Sequence, residues 1–246
     1  MNEALVERAR SAFLAACRLD VAVRKPGNVS RASPGHGMHG DLFVAAADAA
    51  AGPLFAVGAT VGARIEAATA ASWSAAGCNT NLGIVLLCAP IAAAVERHGI
   101  DDLPAALEAV LAGLTIDDAA AAFRAIVRAN PGGLGSAAAE DVHGRPTLGL
   151  RAAMALAAER DSIARQYADG FREVFEAVGS GGHRGFPLMA DPGSGIADSS
   201  TTALVQQVYL YWLARFPDSH IVRKHCEGVA HIVMNTAQGW PAVERP

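Results

Sequence analysis

The run Arg24-Lys25-Pro26-Gly27-Asn28-Val29-Ser30-Arg31 crowds three cations and the polar side chains of Asn28 and Ser30 into one turn. Such a turn suits a polyanion. The Pro-Gly pair stops a helix and frees the following backbone N–H groups, while Lys25 and Arg31 bring charge to phosphate oxygens. Solvated basic residues at an ordinary helix end are the competing explanation. A second cluster, Pro34 to Phe43, sets His36, His39 and Asp41 just before a helix. Asp41 could cap that helix, bind Mg2+ or act as a base. Zinc would want more ligands than the two histidines offer.

A third cluster, Gly77-Cys78-Asn79-Thr80-Asn81-Leu82-Gly83, opens the most hydrophobic helix with two amides and a hydroxyl. A helix start needs one N-cap, which Asn79 or Thr80 supplies, so the remaining polar groups are free for a ligand. Asp117 and Asp118 begin another helix, where the helix dipole alone favours acids. Arg160, Asp161 and Arg165 could form an ion-pair group along one helix. Arg223 and Lys224, in the run Asp218 to His225, make a second cationic patch. No GxxxxGK[ST] loop, dinucleotide fingerprint, HExxH helix or GxSxG elbow is present, so the common nucleotide and hydrolase signatures are excluded.

These clusters need rigid elements between them. The 246 residues are 52% apolar, enough for a substantial core, and alanine dominates with few aromatics and few β-branched runs. Helices are expected over about 3–23, 40–51, 54–75, 80–97, 102–113, 117–129, 147–159, 161–178, 199–215 and 219–237, separated by Gly- and Pro-rich breaks. None of the breaks resembles an interdomain linker, so the expectation is all-α, a single compact multi-helix domain of about ten helices over 1–246. A net charge of −4 argues against a general nucleic-acid binder, leaving any anion site local. Leu82 to Val95 is too short for a bilayer and contains Pro90, and the N-terminus has no signal-peptide pattern, so no membrane span is expected. Cys17, Cys78, Cys88 and Cys226 show no CxxC spacing and read as reduced thiols of a cytoplasmic protein. Alanine-rich helices with apolar faces are compatible with a homodimer.

The clusters resemble the triphosphoribosyl-dephospho-CoA synthases, which prepare the prosthetic group of citrate lyase and malonate decarboxylase, and the resemblance runs along the chain. Lys25 to Val29 is similar to that family's KPG segment, His39 to Phe43 falls where a His-x-Asp-Met segment is expected, and Gly77 to Gly83 is similar to its GVNTHKG motif. Asn81-Leu82 stands where the family has His-Lys, and Asp20 where Glu is frequent. The segments Gly133 to Val142, Arg160 to Tyr167 and Asp218 to Lys224 resemble a divergent archaeal and methylotroph branch that accompanies tetrahydromethanopterin-linked C1 genes.

The resemblance implies an all-helical enzyme that uses ATP with Mg2+, joins the ribose C1 to a hydroxyl of dephospho-CoA or a related cofactor precursor, and expels adenine. It implies phosphate contacts from Lys25, Arg31, Arg223 and Lys224, with Asn28, Ser30, His39, Asn79, Thr80 and Asn81 lining the nucleotide site. Asp20 and Asp41 would be the base or the Mg2+ ligands, with Asp117, Asp118 and Asp161 as further metal candidates. A kinase or nucleotidyltransferase of tetrahydromethanopterin- or methanofuran-linked cofactor assembly, and a non-catalytic helical nucleotide-binding protein, are the alternatives.

Overall fold

The computed structural model describes residues 3–35, 37–132, 134–180 and 199–239. His36, Gly133, the breaks expected within 181–198 and the side chain of Arg223 lie outside what is described. Among the described residues there are twelve helices and no strand, so the all-α expectation holds. They are α1 (Glu3–Ala22), α2 (Gly40–Leu54), α3 (Val61–Ala76), α4 (Leu82–His98), α5 (Leu103–Ala112), α6 (Ile116–Ala129), α7 (Leu150–Ala155), α8 (Ser162–Ala168), α9 (Arg172–Ser180), α10 (Ser199–Arg215), α11 (Ser219–Lys224) and α12 (Glu227–Gln238). Among them no single helix is long and apolar enough to cross a membrane.

The helix count exceeds the expected ten because two expected helices break. The segment expected over 161–178 divides into α8 and α9 at Gly170, whose φ of 67° ends α8. That reversal buries Phe171 completely, with its ring 5.7 Å from that of Tyr167. The last expected helix breaks at Cys226, whose extended backbone separates α11 from α12. Further upstream, α2 runs on to Leu54, and a loop then leads to Thr60, which caps α3 by accepting from Ala63 N.

The helices group into two compact units, one of Met1–Cys17, Asp41–Pro131 and Gly135–Glu173, the other of Arg18–Gly40, Gly132–Leu134 and Val174–Pro246. In the first unit α3 and α6 lie in close contact, because a Cβ at Gly62 would sit only 2.5 Å from Asp118 Cα. Ile65 and Ala68 of α3 and Ala122 of α6 are fully buried, as are Leu107, Leu111 and Leu150 elsewhere in the unit's core. Arg64 is buried with them. Its guanidinium donates to Ala59 O at 3.1 Å, to Leu54 O at 2.9 Å and to the Glu96 carboxylate, which also accepts from Gly58 N at 2.8 Å. One buried ion pair therefore ties the 54–60 loop to α4 with its polar atoms partnered.

Candidate functional site

In the second unit the last residues of α1 run into a tight turn. Asn28 N donates to Lys25 O at 3.2 Å, with Pro26 and Gly27 between them and Gly27 at φ 77°. Proline followed by a residue of positive φ is the type II arrangement, which explains why Pro-Gly stands there. Arg31 N returns to Val21 O at 2.9 Å, and Ser30 and Ser33 exchange backbone hydrogen bonds at 3.0 and 3.1 Å. A Cβ at Gly40 would lie 3.1 Å from Arg31 N, so glycine at the start of α2 lets the turn rest directly on it. From α10, Gln206 Nε2 donates to Arg24 O at 3.0 Å and Tyr209 Oη donates to Pro26 O at 2.5 Å. Burial, with the Asp218 carboxylate adding to it, pushes the Tyr209 phenol up from its ordinary value and keeps it a donor.

Lys25, expected at phosphate, is engaged within its own segment. Its side chain is 3% exposed, and its ammonium donates to Asp20 Oδ1 at 2.8 Å, to Val23 O at 3.4 Å and to Asp20 O. The cation thus closes the C-terminal end of α1, the end where the helix dipole favours positive charge. Asn28, Arg31 and His39 are exposed, and their side chains have no partner among the described residues. Ser30 is 2% exposed, yet its hydroxyl lacks a hydrogen-bond partner. Lys224 is exposed at the end of α11, and Asp218 caps that helix by accepting from Ile221 N at 3.1 Å.

In the first unit, Gly77 ends α3 in the left-handed region and Asn79 Oδ1 accepts from Leu82 N at 3.3 Å. Asn79 thereby does the capping work at α4. Thr80 Oγ1 and Asn81 Nδ2 are buried without a partner, although Asn81 is only 5% exposed. Buried polar atoms without partners are costly, and a ligand that supplies hydrogen bonds removes the cost. Helix α8 packs against this helix start: a Cβ at Gly83 would lie 2.8 Å from Ile163 Cδ1, and Tyr167 Oη donates to Leu86 O at 2.6 Å.

The acidic candidates divide by what they already bind. Asp118, 6% exposed, accepts from Gly62 N at 2.7 Å, from Thr115 N at 2.9 Å and from Thr115 Oγ1 at 2.8 Å. Burial pushes its carboxyl up, but the donors from Thr115, Gly62 and Thr60 outweigh it and hold the carboxyl below its ordinary value. Asp161 caps α8 through Ile163 N at 2.9 Å and Ala164 N at 3.0 Å. Asp20 is engaged by Lys25. Asp41 and Asp117 are exposed in the first turns of α2 and α6, with no partner among the described residues. Among those residues, no three His, Cys, Asp or Glu side chains gather as a metal cage.

A family model described as CitG, ATP:dephospho-CoA triphosphoribosyl transferase, matches residues 6–244. The chain belongs to that family. It is a transferase of cofactor biosynthesis, and the family's reaction moves the triphosphoribosyl group of ATP to dephospho-CoA. No curated protein and no solved structure matches the chain. The turn of the second unit and the start of α4 in the first each hold a buried polar atom without a partner among the described residues. Gln206 and Tyr209, which hold that turn, escaped the sequence reading because they stand 182 and 183 residues from the carbonyls they bind.

Proposed function

We propose that this chain binds ATP as its Mg2+ complex and transfers the triphosphoribosyl group to the hydroxyl of dephospho-CoA or a related cofactor precursor. The family match over residues 6–244 carries the reading. The C1–N9 bond of the adenosine breaks as the bond from the acceptor oxygen to C1 forms. The bonding pair leaves with adenine, and the acceptor proton passes to a base and on to the departing purine. Positive charge develops on the ribose in this step, so fixed donors and a nearby carboxylate lower the barrier more than tight binding of the ground state would.

Arg31 and Asn28 are assigned to the triphosphate because both are exposed and uncommitted, and a guanidinium can bind phosphate oxygens in two places at once. Lys25 and Asp20 are assigned to shaping the turn that presents them. In the second unit Ser30, and in the first unit Thr80 and Asn81, each offer a neutral hydrogen bond from an atom that lacks a partner among the described residues. Lys224 supplies a further exposed cation. Asp41 is the base or the metal-facing carboxylate, since of the two first-choice acids it alone is unpaired. A metal that arrives on a triphosphate needs only one or two carboxylates, which a free Asp41 fits and a three-ligand cage would not improve. When bound, Mg2+ would neutralise phosphate charge. A cytoplasmic location, where ATP is supplied, belongs to the same proposal.

The test is incubation with ATP, Mg2+ and dephospho-CoA, followed by separation of bases and nucleotides. Acceptor-dependent free adenine is expected. ADP would indicate a kinase, and AMP with pyrophosphate a nucleotidyltransferase; either product in place of adenine rejects the proposal.

A further inference from the structure

A groove of about 950 Å³ lies in the first unit between α6 and the segment 142–146, with Glu66 of α3 at one side. Its size is that of a site for a cofactor-sized ligand, and its lining is of two kinds. Ile116, Phe123, Val127 and Pro146 make an apolar strip, with Ile116 49% and Val127 40% exposed. Arg124, Arg128 and Arg145 bring three guanidiniums into the same groove. Arg124 is spoken for, because both oxygens of Glu66 bind it at 2.7 Å. Arg128, one helical turn further along α6, is exposed and its charge also acts on Glu66, whereas Arg145 is exposed with no side-chain partner among the described residues. Asp117 is the one further carboxylate of the lining, so in a chain of net charge −4 the two exposed guanidiniums beyond the Arg124–Glu66 pair keep the groove cationic beside its apolar strip, a local site for an anion with an uncharged extension.

The wall that carries Arg145 is built in advance. Asp141 accepts from Ala137 N at 2.6 Å and from His143 N at 2.9 Å, and Glu140 accepts from Thr147 Oγ1 at 2.6 Å. Leu150 N then donates to Thr115 O at 3.1 Å, anchoring the end of the wall beside the start of α6. Both acids of the wall are therefore engaged by donors within the wall, which leaves Arg145 as its charged contribution to the groove.

We propose that this groove is the acceptor-binding site and takes a diphosphate ester with an extended, uncharged arm of methylenes, methyls and amides, the chemistry of dephospho-CoA. The diphosphate binds Arg128 and Arg145, and the arm lies on Ile116, Phe123, Val127 and Pro146. The ligand's identity rests on the triphosphoribosyl-transfer reading; the charge and shape of the groove do not.

The experiment measures dephospho-CoA binding calorimetrically, without ATP, to the wild type, to Arg128→Gln/Arg145→Gln and to Val127→Asp. Pantetheine serves as the arm without the diphosphate. Both arginines are exposed, so the double variant should keep the wild-type melting temperature. Its affinity for dephospho-CoA should fall about tenfold or more, the scale of losing charge-assisted hydrogen bonds. Pantetheine binding should be unchanged in the double variant and weakened in Val127→Asp. In turnover, KM for dephospho-CoA should rise with kcat and the KM for ATP retained. Unchanged dephospho-CoA affinity in the double variant, no binding to the wild type, or an equal loss for ATP would each overturn the groove assignment. Arginine-dependent dephospho-CoA binding by a protein that never releases adenine would uphold the groove and reject the reaction, so the two failures are distinguishable.

Discussion

Replacing Lys25 by Met separates a cation that shapes the turn from one that holds phosphate. Methionine keeps the apolar stem, 3% exposed in the wild type, and removes only the ammonium and its bonds to Asp20 Oδ1, Asp20 O and Val23 O. A charge-assisted hydrogen bond is worth about 1.5 to 3 kcal/mol. Asp20 keeps 43% of its side chain in solvent, which screens the pair and draws the loss toward the lower part of that range. The expected cost is about 2 kcal/mol of stability, a fall of roughly 4 to 8 °C in Tm for a chain of this size. Thermal melts of the wild type, Lys25→Met, Asp20→Asn and the double variant complete a cycle, and a coupling energy of about 1 kcal/mol between the two positions is expected. An unchanged Tm for Lys25→Met, no coupling to Asp20, and a tenfold loss of ATP affinity would refute the reasoning and return Lys25 to the phosphate.

Arg31→Ala, exposed and unpaired, should leave Tm unchanged and weaken ATP binding by about 1.5 kcal/mol or more, read by calorimetry. Asp118→Ala should cost about 2 to 4 kcal/mol in denaturant unfolding, because it leaves the N–H groups of Gly62 and Thr115 without their acceptor. The Asp118 carboxyl titrates below its unfolded-state value of about 3.9, so its contribution is fully present above that pH and is lost as pH falls through the lower folded-state value. The variant should accordingly lose less stability than the wild type on acidification below about pH 4, and an identical acid dependence would contradict the assignment. Burial pushes the Cys88 thiol up to about 12, whereas Cys226 is exposed. A thiol reagent at pH 8 should therefore modify Cys226 in the native protein and reach Cys88 only on unfolding.

Helix content was legible because alanine-rich, weakly aromatic segments favour little else, and Pro26-Gly27 marked its turn through residues that the turn's own dihedrals require. Gly77 to Gly83 was legible in the same local way: one polar side chain caps α4, and Thr80 and Asn81 are left over. Contacts between distant segments carried no such signal. The pairing of Asp118 with Gly62 spans 56 residues, so two adjacent acids at a helix start read as metal candidates until the fold buries one as a cap. The engagement of Lys25 was hidden for the opposite reason. Its partner Asp20 lies only five residues earlier, near the end of α1, and a sequence does not show whether a lysine stem folds back on its own helix or reaches outward. The break between α8 and α9 had a local signal in Gly170; what the sequence did not show is that Phe171 after it turns in beside Tyr167.

The most direct test of triphosphoribosyl transfer follows two labels through one reaction, with ATP carrying 14C in adenine and 32P at the γ-phosphate, and dephospho-CoA as acceptor. Triphosphoribosyl transfer predicts that 14C leaves as free adenine while 32P enters the acceptor product, in equal amounts. Appearance of 14C in ADP with 32P on the acceptor, or of 14C on the acceptor with 32P in pyrophosphate, would contradict it.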